Sequence, residues 1–210
     1  MGNRWYIHII ESPNERDLES GRCEGRVLSE MLRLIGIEFE YRMVRTMQDW
    51  EEALTEFTVL IKGKNRAPLL HISMHGNEDG LALTDGSMIT PDELGNQFRR
   101  VKTALNGKLI TCLSACSGFF PAAYACRGDV PFGMLLAAPT RQVRWDEAAL
   151  WFCVFYYRLH RDLDPTKAGM SANAAIGKDD LFSSLTEDIL AEAMRRHDAA
   201  EGAGESSPTR

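Results

Sequence analysis

A chain of 210 residues with 44% hydrophobic content is long enough for one sizeable core and short for two, so a single domain is expected. The net charge of −6, with the basic residues spread out, gives no electrostatic footprint for nucleic acid, and no stretch approaches the ~20 apolar residues of a membrane span. The five cysteines are odd in number and scattered, a poor disulfide framework that suits a reducing compartment.

Cys112 and Cys116 sit four apart, but no second pair with ligand spacing accompanies them, so neither a structural zinc nor any other metal is expected. The apolar run in MGNRWYIHII is too short for a signal sequence, and Tyr6 stands where a myristoylation motif needs Ser or Thr. A cytoplasmic location is the expectation.

In chain order, Trp5 to Ile10 reads as a strand ending in the loop Glu11-Ser-Pro-Asn-Glu. Val27, Leu28, Met31, Leu32 and Ile35 recur at helical spacing and stop at Gly36, a good terminator. Phe39 to Val44 alternates like a strand, and Gln48 to Ile61 carries the stripe Trp50, Leu54, Phe57, Ile61. Pro68 to Met74 is a third strand running into His75-Gly76. Leu81 to Thr90 reads as a hairpin turning at Asp85-Gly86. Thr90-Pro91-Asp92-Glu93 opens a helix with a cap, a proline at its first position and a capping box. Leu109 to Leu113 is a fourth strand leading into Ser114-Ala-Cys-Ser-Gly118, and Phe132 to Ala138 a fifth. Helices are expected over Asp146 to Arg161 and Leu181 to Arg196, and residues 198–210 read as a disordered tail after a domain spanning 1–197.

Strand and helix alternate for most of this length, which implies an α/β fold with a mostly parallel sheet and helices on both faces. In such sheets the functional crevice lies beyond the carboxyl ends of the strands. His75 ends one strand and Cys116 follows the end of the next, so both face that crevice.

A nucleophilic cysteine needs a base, a setting that favours thiolate and donors for an oxyanion. His75 supplies the base. Gly76, lacking a side chain, lets a carbonyl approach its N–H, and the N–H of Cys116 is the second donor. Gly118 permits a tight turn. Taken singly, a histidine after a strand is an ordinary loop residue and a cysteine near a sheet an ordinary core residue. Together at two successive strand ends, each beside a glycine, they point to catalysis.

These residues carry a resemblance. His71-Ile-Ser-Met-His75-Gly76, Leu81-Ala-Leu-Thr-Asp-Gly and Leu109-Ile-Thr-Cys-Leu-Ser-Ala-Cys116-Ser-Gly are similar to the caspase-like superfamily of cysteine peptidases (clan CD), most of all to CHAT domains, relatives of separase. Trp145-Asp146-Glu-Ala-Ala, Phe155-Tyr156-Tyr157-Arg-Leu159 and Lys167-Ala168 continue the likeness, which covers roughly residues 67 to 176. The resemblance implies a caspase-like three-layer sandwich and a cysteine endopeptidase working through a Cys116–His75 dyad on a protein or peptide substrate. It implies no cofactor, and a bacterial defence or cell-death role resembles what some caspase-like proteins do.

Departures limit what carries over. Caspases proper place Gln-Ala-Cys-Arg-Gly at the nucleophile; here it is Ser-Ala-Cys-Ser-Gly, which puts a caspase-type preference for aspartate in doubt. No internal linker suggests a split into two subunits.

In separase-like relatives an acidic residue after the fifth strand lines the pocket for a basic P1 side chain, and Asp146 falls at a similar place. A helix cap explains Asp146 equally well. Arg141 and Arg144 in the same loop would suit an acidic P1 instead. Glu11 and Ser12, ending the first strand, are placed to line the crevice, though turn chemistry before Pro13 accounts for them too. His71 and His8 read as core histidines, and no third residue stands out to orient His75.

The expected chemistry is acyl transfer from Cys116, with His75 as acid–base and the Gly76 and Cys116 amides as oxyanion donors. Two alternatives remain open: a non-catalytic signalling module that binds peptide in the same crevice, and an unrelated doubly wound domain holding a small ligand. The lack of a Gly-rich phosphate loop after the first strand counts against the second. With no recognisable sensor domain, activation by a partner protein, by a neighbouring domain on another chain or by oligomerisation is the expectation.

Overall fold

The first strand, β1 (Trp5–Ser12), shows how the sheet divides the molecule. Successive side chains leave opposite faces of a strand, so Tyr6 and Ile10 enter one apolar core while Ile7 and Ile9 enter another. The computed structural model describes residues 5–62, 66–77, 79–116, 134–139, 142–178 and 182–186.

After β1 come α1 (Glu15–Glu19), α2 (Glu24–Ile35), β2 (Glu38–Met43), α3 (Met47–Ile61) and β3 (Ala67–Asn77). The hairpin β4 (Gly80–Ala82) and β5 (Met88–Ile89), α4 (Pro91–Ala104), β6 (Ile110–Ser114) and β7 (Met134–Pro139) follow. The last described elements are α5 (Trp145–Asp162), α6 (Pro165–Ile176) and β8 (Phe182–Thr186). The main sheet runs β2-β1-β3-β6-β7-β8. Its first five strands are parallel, and β8 is antiparallel to β7. It is a mixed open sheet with helices on both faces, an α/β architecture as the alternation predicts.

One core joins α3 and α4 to the sheet through Trp50, Phe57, Leu94 and Phe98 against Leu70 and Ile72. The other joins α2, α5 and α6 through Leu28, Trp151, Phe152, Phe155 and Ala168 against Ile7, Ile9 and Leu69. The expected stripe of α3 is wholly buried, whereas Val27, placed by periodicity on the α2 stripe, faces solvent.

Local signals explain several boundaries. Thr46 and Thr90 each make a full capping box, with Asp49 and Glu93, and Gly36 ends α2 in the left-handed conformation. The β4–β5 turn closes at Asp85-Gly86, with Gly86 at φ 86°. α2 itself has no capping side chain from Cys23. Instead the Glu11 side chain reaches over from β1 and accepts the Gly25 N–H at 2.9 Å.

Three expectations change. The helix expected over 181–196 is displaced at its start by β8, where Phe182 stacks on Trp151 at 4.3 Å. Pairing with the sheet edge and this aromatic contact outweigh the local helical spacing. Residues 165–176, to which the sequence assigns no element, form α6, opened by Asp164 and Pro165 and closed by Gly177. The loop after β1 contains a short helix, α1, capped by Asn14. Gly118, Arg141 and the 198–210 tail lie outside the described residues. Among the described residues, no helix is long and apolar enough to cross a membrane.

Candidate active site

The chain leaves β1 toward β2 on one side, while β3 lies on the other, so the sheet order reverses between β1 and β3. Loops part at such a point and leave a crevice at the carboxyl ends of the strands. β3 and β6 are neighbours in parallel register, with Ser73 opposite Ser114. His75 lies two residues beyond that pair on β3, and Cys116 two residues beyond it in the turn after β6. Both line one small cleft with Ser114, Val143, Arg144 and Trp145.

Gly76 continues β3 and pairs with Leu81 of β4. A Cβ at this position would lie 3.2 Å from the Ala115 Cβ, the Cys116 carbonyl and the Gly80 carbonyl. A glycine is therefore what lets the end of β3 pack against the Ala115–Cys116 segment. The Cys116 thiol donates to the Val143 carbonyl at 3.4 Å. Among the described residues, no hydrogen bond joins it to His75.

The His75 ring is held by the segment that follows β1. Its Nε2 lies 2.7 Å from Asp17 Oδ2 and 2.9 Å from Asn14 Nδ2. The Trp145 indole N–H donates to the same Asp17 oxygen at 3.1 Å, and the Trp145 ring meets His75 edge-on at 5.2 Å. Arg22 Nε donates to Asp17 Oδ1 at 2.9 Å. The Asp17 side chain is only 7% exposed, against 38% for His75. Burial alone would push the Asp17 carboxyl up; hydrogen bonds from His75 and Trp145, with the charges of His75 and Arg22, outweigh it and hold the group below the usual aspartate value.

Beneath the cleft lies a buried polar group set. Glu24, at the first position of α2, accepts hydrogen bonds on Oε2 from Ser73 at 2.9 Å and Ser114 at 2.6 Å. Its Oε1 faces His71 Nε2 at 3.5 Å, and neither atom has a hydrogen-bond partner among the described residues. His71 Nδ1 in turn meets the Tyr156 hydroxyl at 2.7 Å, as befits a core histidine. Ser114 is shared, lining the cleft on one side and donating to Glu24 on the other.

The structure therefore brings His75, Gly76 and Cys116 together and sets the other candidates elsewhere. Glu11 is wholly buried, held by the Gly25 N–H and by the Tyr41 hydroxyl at 2.8 Å. Ser12 is buried too, donating to the Val44 carbonyl at 2.8 Å and meeting Thr84. Both serve the fold rather than the cleft wall. Asp146 is 65% exposed and paired bidentately with Arg144, at 3.0 and 2.8 Å. It is not the helix cap either, since α5 begins at Trp145 and Arg144 holds that place.

Asp17, Asn14 and Glu24 are the site residues that sequence reasoning missed. For Asp17 a signal exists: Asn14-Glu-Arg-Asp17 follows the first strand, on the lip of the crevice that the strand order predicts. Among the described residues, no group of three or more His, Cys, Asp or Glu is arranged to hold a metal ion. Comparison with family models gives no match, and no curated protein matches the chain.

Proposed function

We propose that this protein is a cysteine endopeptidase of the caspase-like superfamily, on its CHAT and separase side, and that it cleaves after a basic residue. The observation that carries this reading is the pair His75 and Cys116, ending adjacent parallel strands and lining one cleft. The sheet order with an antiparallel last strand is compatible with it.

In this reading the Cys116 thiol gives its proton to His75 and attacks the peptide carbonyl carbon. The carbonyl π pair moves to oxygen, where the Gly76 and Cys116 amides receive it. Collapse breaks the C–N bond, and His75 returns the proton to the leaving amine. Water, deprotonated by His75, then hydrolyses the thioester.

Asp146, beside the cleft at the start of α5, is the acidic group that would meet a basic P1 side chain. Asp146 is exposed, and its present partner Arg144 lines the cleft, so a basic P1 side chain would compete with Arg144 for the carboxylate. A Lys or Arg side chain offers that carboxylate the same kind of N–H donors that Arg144 supplies.

A P1-diversified peptide library screened with wild type, Cys116→Ala and Asp146→Asn tests both parts. Cleavage after Lys or Arg is expected in wild type and absent in Cys116→Ala. Asp146→Asn should weaken the basic preference by roughly tenfold or more in kcat/KM. Equal cleavage by wild type and Cys116→Ala would remove the nucleophile.

A second reading, a non-catalytic module that holds peptide in the same cleft, is favoured by one feature. The Cys116 thiol bonds to Val143 rather than to His75. Tight peptide binding without turnover by wild type would support it.

A further inference from the structure

We propose that Asp17 is a positioning residue for His75, one that fixes Nδ1 as the proton-accepting nitrogen and so makes the site a three-membered relay. This rests on the peptidase reading above and goes beyond the dyad.

The argument starts from what Asp17 can accept. A carboxylate has no proton to give, so the 2.7 Å contact with His75 requires the hydrogen to be on Nε2. The competing neighbour is Asn14 Nδ2 at 2.9 Å, a donor that would favour the opposite tautomer. Asn14 cannot simply turn its oxygen to the ring, because Oδ1 caps α1 by accepting the Asp17 N–H at 2.8 Å. A charge-assisted bond is stronger than one from a neutral amide, so the carboxylate decides the tautomer. With hydrogen on Nε2, the Nδ1 lone pair is the one left to take a proton from Cys116.

Asp17 is itself held from three directions. Arg22 occupies Oδ1, the Trp145 N–H shares Oδ2 with His75, and the α1 cap fixes its backbone. Trp145 comes from the start of α5, so its bond ties the far end of the chain across the carboxyl end of β3. The edge-on ring contact limits rotation of the imidazole.

When the S–H bond breaks, sulfur keeps the electron pair and the proton moves to Nδ1, leaving an imidazolium against Asp17. The carboxylate stabilises that charge without taking the proton. No oxidant or further reactant is involved.

The test uses the full chain with 15N-labelled histidine, and iodoacetamide as the thiol probe. In wild type the neutral His75 ring should show the Nε2–H pattern. In Asp17→Asn the Nδ1–H form should appear, with alkylation of Cys116 at pH 7 slowed by roughly tenfold or more. Asp17→Glu should recover part of both signals. Trp145→Phe keeps the aromatic edge and removes one donor; it should move both signals the same way by about two- to threefold, and it covers a failure of Asp17→Asn to fold.

Unchanged imidazole shifts and alkylation in Asp17→Asn overturn the proposal. So does peptide cleavage that needs Cys116 but is indifferent to Asp17, which would leave the peptidase reading standing. A tautomer switch in Asp17→Asn in a protein that cleaves no library peptide supports the positioning role and removes the peptidase reading instead.

Discussion

Gly76 is where a single hydrogen atom decides whether the two halves of the site meet. Its missing Cβ would touch the carbonyls of Cys116 and Gly80 and the Ala115 methyl, all at 3.2 Å. Two of these are backbone atoms, so relief must come from moving β3 away from the Cys116 segment. Gly76→Ala is expected to lower turnover by about tenfold while costing only ~1 kcal/mol of stability, read as kcat/KM beside a urea midpoint. At this scale the sequence was a good guide to where His75, Gly76 and Cys116 lie, because strand ends and flanking glycines are local signals. It was a poor guide to Asp17 and Glu24. Their contacts, to His75 and Ser114, span 58 and 90 residues of chain, which no local pattern records. The pairing of Asp146 with Arg144, two residues before it, likewise goes unrecorded by its position after the fifth strand.

Among the elements, the β4–β5 hairpin has the most direct hold on the site, because β4 pairs with His75, Gly76 and Asn77. Its entry at Gly80 has φ 148°, and an added Cβ would lie only 2.3 Å from the Ile89 carbonyl. A side chain there is both conformationally strained and blocked by backbone. Gly80→Ala is expected to destabilise the protein by about 2–4 kcal/mol and to depress activity beyond that, since the hairpin must shift away from the end of β3. Calorimetry together with peptide turnover measures both effects. Elements with strong local chemistry were readable in advance, as the Thr90-Pro91-Glu93 helix start and the Asp85-Gly86 turn show. β8 was not, because a strand that adds antiparallel to a parallel sheet takes its identity from β7 and from Trp151.

Across the whole molecule, two buried titratable groups on β1 oppose each other in pH. Burial pushes Glu11 up to about 7, against hydrogen bonds from Gly25 and Tyr41 and with help from Glu24. Unfolded, it would lose its proton near 4.5. The folded state then binds more protons between those values, and this residue's contribution to stability falls as pH rises through that window. Burial, aided by Arg42, pushes His8 down to about 4 from 6.5. There the unfolded state binds more protons, and stability rises with pH over the window. The two effects largely cancel in wild type, each on the order of 3 kcal/mol when complete. Urea unfolding at intervals from pH 4 to 7.5 should therefore give a shallow profile. Glu11→Gln should leave stability rising with pH, and His8→Leu should leave it falling; parallel profiles for all three proteins would refute the assignment. The burial of His8 agrees with its sequence reading as a core histidine, whereas that of Glu11, read as a crevice-lining residue, comes from α2 closing over its carboxylate through Gly25.

The central claim is that Cys116 is a nucleophile made reactive by His75. The most direct measurement is site-resolved mass spectrometry of labelling by a peptidyl acyloxymethyl ketone with Lys at P1. Its rate is compared at Cys116 and at Cys153, whose half-buried thiol burial pushes up to about 11. Cys116 should label at least about a hundredfold faster than Cys153 in wild type, and His75→Ala should abolish that advantage. Labelling of Cys116 no faster than Cys153, or fast labelling that persists in His75→Ala, would contradict the account.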